Sequence, residues 1–399
     1  MADLLTADQG SFSDVNPFGS DYKMSLDALR IALASKKELK VSKDQIITFT
    51  INGESVLYES SRVLRTHDTM ADAANMSVNI DANWDILTKI RPYGFEEVEV
   101  HLDSEKIFQG FLYNLDNTIE EKSRVVNLEC FSGTIDLVDS CPDGPPYTFK
   151  DKNFTKIAKT LTKNFDVKII DKALSQYKFK RVTIAPTEKI GAFLGKLAKQ
   201  IGVLLSSDVN GNLEIKNSNK IGIHSASITN EQVIVPKITM SWKGRSRFSK
   251  FVSLGKRPKK NVKETTEDKN VPRNRIFSYK ADEKDKGIKK ETSTAWKKNM
   301  SIAESLQINL PVIGFYDDLG LRWTEGNLIT IEFNELWLTS GMKFMIRSVE
   351  FNDTSKEKVA TLGLVLPETY TDKEIVEPWG EQALKMSLYD LRDILEGKF

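Results

Sequence analysis

"VEVHLDSEKIFQGFLYNLDNTIEEKSRVVNLECF" (residues 98–131) decides the fold. Val98, Val100 and Leu102 alternate with polar residues, Asp103-Ser104-Glu105 makes a polar turn, and Ile107 to Leu112 runs apolar again. After the charged loop "LDNTIEEKS" a third segment alternates, with Val126, Leu128 and Cys130 against Val125, Asn127 and Glu129. Side chains two apart on an extended chain share a face, so this period predicts a meander of three strands. Upstream, "QIITFTINGESVLY" (residues 45–58) places Asn52-Gly53, a tight hairpin signal, between two further strand-like runs.

The pattern returns in "ITIEFNELWLTSGMKFMIRSVEFNDTSKEKVATLGLVL" (residues 329–366), again strand, polar turn, strand, charged loop, strand. Two readings are open, two unrelated meanders or two copies of one β-unit, and the fold expected below takes the second. Closing each into a small barrel would remove sheet edges that invite stray pairing.

Between the copies the period changes. "NFTKIAKTLTKNF" (153–165) sets Phe154, Ile157, Leu161 and Phe165 near helical spacing. "TEKIGAFLGKLAKQIG" (187–202) does so with Ile190, Phe193, Leu194, Leu197 and Ile201, and Thr187 after Pro186 stands as its cap. "VLLSSDVNGNLEI" (203–215) is a hairpin turning at Asn210-Gly211. The fold class expected is thus α+β, mainly β: two similar small barrel domains separated by a small α/β module, with helical extensions at both ends.

Residues 1–40 form an extension with a short helix at "SLDALRIALASKKEL", and 41–144 the first β-domain, ending at the breaker cluster "CPDGPPY" (141–147). The module runs over 145–237, and the second β-domain over 238–371. That domain carries an insertion at 256–290, with 13 Lys/Arg against 6 Asp/Glu and few aliphatic residues, followed by a helix at 291–305. The tail, 372–399, is an amphipathic helix whose Leu384, Leu388, Leu391 and Leu395 form one stripe.

Composition narrows the function. Of 399 residues 40% are hydrophobic and 28% charged, with a net charge of +1, so the overall balance calls for neither nucleic acid nor an acidic membrane. No apolar run nears the ~18 residues that span a bilayer, and the first residues lack a signal peptide's basic and apolar regions. A soluble protein made in a cytoplasm is expected. Cys130 reads as a buried strand thiol and Cys141 as a loop thiol, too few for a disulfide framework. His67, His101 and His224 are far apart and no HExxH occurs, so neither metal nor cofactor is expected.

Catalytic signatures are equally sparse. No G-x-S-x-G occurs, Ser132 in "CFSGT" is a strand-end serine, and Gly191 and Gly195 suit helix packing better than phosphate binding. Glu96 with Asp103 is the candidate carboxylate pair for a cell-wall hydrolase. The other rival is a nucleic-acid-binding protein using 243–298. There Lys256, Arg257, Lys259 and Lys260 would meet phosphates or an acidic partner, and Phe251, Phe277 and Tyr279 would stack on bases.

Taken in order, "ITFTINGE", "VLRTHDTMADAANMSVNI", the 98–131 meander, "IAPTEKIGAFLGKLAKQIGVLLSSDVNGNLEI", "AWKKNMSIAESLQINLPVIGF", "GNLITIEF", "GMKFMIRSVEF" and "TLGLVLPETY" resemble the baseplate hub protein of Mu-like contractile-tail phages. The hub half of type VI secretion spike proteins is a relative of that family. The resemblance covers about 41–371 and brings no catalytic residues. It implies a virion structural protein: a homotrimeric ring of tube-like barrels joining a sixfold tail tube to a threefold central spike. Tape-measure protein would be held in its lumen, wedge proteins would surround it, and DNA would pass in transit. It further implies assembly in the host cytoplasm and no membrane contact. On this reading the subunit-interface candidates are Val98, Val100 and Leu102 with Ile329, Ile331 and Phe333, and the leucine stripe docks on a tail partner.

Overall fold

The alternation in 98–131 becomes three paired strands of a much larger sheet. The computed structural model describes residues 44–120, 124–217, 222, 224–229, 238–257, 260–280, 290–317, 319–333, 338–371 and 375. Its first β-unit contains β1 (Ile47–Ile51), β2 (Glu54–Val56), β3 (Ser60–Thr66), β4 (Ala73–Asn79), β5 (Glu97–Leu102), β6 (Glu105–Ile119) and β7 (Arg124–Phe131). A four-residue helix, α1 (Trp84–Leu87), precedes β5. Asn52 and Gly53 take positive φ between β1 and β2, as a tight hairpin requires. Val98, Val100, Leu102, Val126, Leu128 and Cys130 are all buried, the face that the alternation assigns. Fully burying each valine or leucine contributes about 1.5–3 kcal/mol.

The α/β module starts earlier than its breaker cluster, at α2 (Ile135–Asp139), because Leu137 packs into its core. It continues with β8 (Thr148–Asn153), α3 (Phe154–Leu161), β9 (Ile169–Asp171), β10 (Lys178–Thr183), α4 (Ile190–Ile201), β11 (Val203–Ser207) and β12 (Leu213–Asn217). Asn153 caps α3 through its side chain, which accepts from the Lys156 amide at 3.1 Å. Thr187 does not cap α4: the helix begins at Ile190, with Lys189 at its N-terminal boundary. Gly191 packs where α4 meets α2, and a Cβ there would lie 2.9 Å from the Val138 Cα. That close approach, not phosphate binding, accounts for the glycine.

The second β-unit comprises β13 (His224–Thr229), β14 (Thr239–Trp242), β18 (Leu306–Ile313), β19 (Leu328–Phe333), β20 (Leu338–Thr354) and β21 (Lys358–Val365). The stretch 224–229, read from sequence as part of the module, pairs with β19 instead. The insertion is more ordered than its charge suggests. β15 (Lys250–Arg257), β16 (Lys260–Glu267) and β17 (Ile276–Lys280) form their own sheet, followed by α5 (Lys290–Ser305). Phe251 and Val252, neighbours on β15 that point to opposite faces, are both buried, which anchors the sheet.

The two units share one strand order. The first reads β1-β5-β6-β7-β4-β3 and the second β13-β19-β20-β21-β18-β14, the same sequence of roles along the chain. Registers agree as well. Ala74, Cys130 and Leu112 sit across from one another as Ile308, Leu364 and Ile346 do. A bulge falls at Tyr113 in β6 and at Arg347 in β20, the same place in both copies. The units differ at their outer end: β1 is antiparallel to β5 and carries β2, whereas β13 is parallel to β19 and pairs with it alone among the described residues.

The expectation of two closed barrels is corrected. β3 pairs with β20, fusing both units into a single 13-stranded sheet that does not close on itself among the described residues. Side chains from both units fill one core.

Candidate functional site

For a chain this rich in sheet, the informative sites are seams and edges. The internal seam joins β3 to Ser348–Thr354 of β20, with Phe351 opposite Val63 and Val349 opposite Arg65. Arg62 pairs with Glu350 at 2.7 Å on its outer face, and Arg347 with Asp68 at 3.0 Å just past its end. Tyr58 donates to Asp353 at 2.7 Å, and Tyr316 to Asp103 at 2.7 Å.

Beneath the seam lies a buried charge cluster. Arg65, at the end of β3, donates to the Ile107 carbonyl at 2.7 Å and to Glu325 at 2.9 Å, and lies 3.6 Å from Asp72. Asp72 accepts from the Thr66 amide at 3.0 Å, and its own amide donates to the Ser132 hydroxyl oxygen at 3.0 Å. Burial pushes the Glu325 carboxyl upward, but Arg65 more than offsets it and holds the group down at about 2. Burial dominates at Asp72, which Arg65 relieves only partly, and its carboxyl rises to about 7. Burial with nearby Lys216 lowers His67 to about 4. Arg65 would be lowered by burial, yet Glu325 and Asp72 together keep it above its ordinary value. His67 lies against Gly326, whose φ is +87° and whose added Cβ would come within 2.9 Å of the ring. The cluster locks the two units together.

The hydrolase pair is not assembled. Glu96 and Asp103 flank β5, roughly 23 Å apart at about 3.3 Å per extended residue, against the roughly 5–9.5 Å of glycosidase carboxylates. Glu96 accepts from Asn52, and Asp103 from the Ile46 amide and Tyr316. Ser132 is sealed between the Asp72 amide and Thr134. Among the described residues no group of three metal-capable side chains occurs, and no helix is long and apolar enough to cross a membrane.

The nucleic-acid candidates are also redirected. Phe251 is buried and packs with Phe248 and Phe277, which in turn meets Tyr279, so these rings bind one another. The Lys256, Arg257 and Lys260 backbones form the tip of the β15–β16 hairpin, with Arg257 opposite Lys260. Lys259 lies outside the described residues.

Val98, Val100, Leu102, Ile329, Ile331 and Phe333 point into the chain's own core. β5 is paired on both sides, by β1 and β6, and β19 by β13 and β20. Their strand edges are already used within the chain. Leu384, Leu388, Leu391 and Leu395 lie outside the described residues, as does the helix expected at 25–39.

Among the described residues several strand edges remain open, and two of them lie inside the shared strand order without having carried a signal in the sequence. β14 pairs with β18 alone among the described residues, and β6 beyond its bulge pairs with β7 alone. Trp242 on the first is 47% exposed and Ile119 on the second 72%. Beside β14 lies a cleft lined by Lys243, Arg245, Arg247, Arg273 and Arg275.

Comparison with known proteins agrees with this architecture. Residues 134–217 match the family described as baseplate hub protein gp44-like, second domain. The 43 kDa tail protein of prophage MuSo2 from Shewanella oneidensis shares the fold at TM-score 0.68 and 22% identity, over 81% of this chain and 98% of that one. A tail protein from Neisseria meningitidis does so at 0.69 and 15%, over 82% and 98%. Prophage tail protein gp18 from Listeria monocytogenes follows at 0.51 and 11%, over 88% and 99%. Comparison with curated proteins finds no match. Residues 134–217 thus resemble the second domain of gp44-like baseplate hub proteins, within a chain whose fold is similar to that of prophage tail proteins.

Proposed function

We propose that this chain is a structural subunit of a phage baseplate hub, acting as a homotrimeric collar between a sixfold tail tube and a threefold central spike. The observation that carries this reading is the shared strand order of the two β-units. Three copies of such a chain present six similar units, which reconciles the two symmetries at one junction. The fold of prophage tail proteins and the hub-family second domain support it. The work would be mechanical: the lumen admits the tape-measure protein, then DNA, while wedge proteins bind outside. Such a protein acts in the virion baseplate after assembly in the host cytoplasm.

The test is the mass of the purified protein by light scattering, alone and mixed with candidate tube and spike proteins. A trimer that forms a defined complex with both supports the reading. A monomer that binds neither removes it.

A further inference from the structure

We propose that the α/β module carries a docking surface for an acidic protein of the baseplate, built as a rim of lysine and arginine around the exposed Leu174. This deepens the hub reading above, and rests on it for where the partner sits, by naming the chemistry of a protein that binds outside the collar.

The charge is local. Residues 150–181 hold ten Lys/Arg against three Asp/Glu, in a chain whose net charge is +1. Lys150 and Lys152 on β8, Lys156 on α3, and Lys178 and Arg181 on β10 are all exposed. Among the described residues none of these five forms an ion pair, whereas nearby Lys172 pairs with Glu214.

Register makes the surplus unfavourable. Arg181 stands directly opposite Lys150 across the β8–β10 ladder. Residues so placed share a face, with Cβ atoms about 4.5–5.5 Å apart, and like charges there destabilise a sheet. Carboxylates laid across both side chains would turn that repulsion into attraction.

The same contacts gather the cations around one apolar side chain. Lys178 is opposite Asn153, the residue that caps α3. Thr155, in the first turn of α3, donates to Asp171 at the end of β9. Asp171 also accepts from the amides of Ala173 and Leu174, at 3.1 and 2.9 Å, and so fixes the loop between β9 and β10. That loop holds Leu174 at φ +51° with 71% of its surface exposed. The left-handed region is uncommon for a residue other than glycine, and such strain gathers at binding sites.

Anchor and rim together decide the kind of partner. One leucine ringed by lysines buries too little apolar surface to hold a bilayer. The phosphate backbone of a duplex attracts the cations but has no socket for the leucine. An apolar anchor inside a charged rim matches the anatomy of a protein interface. The partner therefore presents carboxylates around an apolar socket.

The test uses the full chain and two fluorescent peptides of equal charge: polyglutamate, and a peptide with leucines interspersed among the same number of glutamates. Duplex DNA and phosphatidylglycerol vesicles are the parallel probes. Both peptides should bind, the leucine-bearing one about tenfold more tightly, as burial of a leucine allows. Lys150→Glu with Arg181→Glu should weaken both peptides by about tenfold or more, and Leu174→Ser should remove only the advantage of the leucine-bearing one. Tighter binding of DNA or of vesicles than of either peptide overturns the proposal, as does equal peptide binding by wild type and variants. Arg181→Glu alone replaces a like pair by an opposite one, so its melting temperature should match or exceed that of wild type; a lower one would assign Arg181 to the fold and overturn the proposal. Peptide binding by a protein that is monomeric and binds neither tube nor spike leaves the docking surface standing and removes the hub reading. A trimer that binds tube and spike but neither peptide removes the docking surface alone.

Discussion

The Arg65 guanidinium stands 2.9 Å from Glu325 Oε1, although 260 positions separate the two residues along the chain. Both side chains are almost sealed from water, at 5% and 8% exposure. A buried ion pair of this kind is weak evidence of net stabilisation, but removing one partner strands the other charge.

Arg65→Met should therefore destabilise the protein by about 3–5 kcal/mol. Joint replacement of Arg65 and Glu325 by methionine should recover much of that loss. Thermal unfolding of the double variant and of both single variants decides: a loss in the double equal to the sum of the single losses would mean the charges are not coupled.

The outer ion pair of the same seam provides the contrast. Arg62 is half exposed beside Glu350, where water screens the pair. Arg62→Ala should cost no more than about 1 kcal/mol, measured in the same unfolding assay.

Stability near neutral pH should respond to Asp72. Its carboxyl is raised by burial to about 7, so between roughly pH 4 and 7 the folded state holds a proton that the unfolded state has released. That contribution favours folding at low pH and is lost as pH rises through 7. His67, lowered to about 4, acts oppositely: the unfolded state takes up a proton first, so its contribution grows from about pH 4 to 6.5. The two offset each other in the wild type. Asp72→Asn removes one, so its melting temperature relative to wild type should climb from pH 5 to 8; a flat difference would refute the assignment.

Gly326→Ala should be costly despite the small change. The residue sits at φ +87° and its new Cβ would press on the His67 ring at 2.9 Å. A loss on the order of 1–3 kcal/mol is expected for such backbone strain, seen as a lower melting temperature.

Val100→Asp and Ile331→Asp should abolish folding itself, since both side chains are interior to the single chain. An unpaired carboxylate there costs several kcal/mol. Insoluble or unfolded protein is the expected outcome; folded monomers that merely fail to associate would restore these positions to a subunit contact.

Much of the fold was legible because it is local. Alternation marked the buried faces of β5 and β7, Asn52-Gly53 marked a hairpin, and the 3.6-residue period marked α3 and α4. What escaped was non-local. Pairing of β3 with β20 joins segments nearly 300 residues apart by backbone hydrogen bonds, which leave no side-chain signature. Arg65, Asp72 and Glu325 look like ordinary surface charges until the seam gathers them. Apolar alternation at Val98–Leu102 reports burial without saying against what, so a core face and a contact between subunits read alike in the sequence. The strands at 260–267 and 276–280 hid behind their lysines, anchored by a few aromatic residues that composition alone undervalues.

The reversed direction of β13 sets the halves of the chain apart at one end of their shared strand order. The shared strand order therefore ends in two different ways: in β1, antiparallel to its neighbour and covered by β2, and in β13, parallel to its neighbour and with no strand beyond it among the described residues. A partner that touches only the common inner strands meets two equal seats on one chain, whereas a partner that reads this outer end meets two unlike ones.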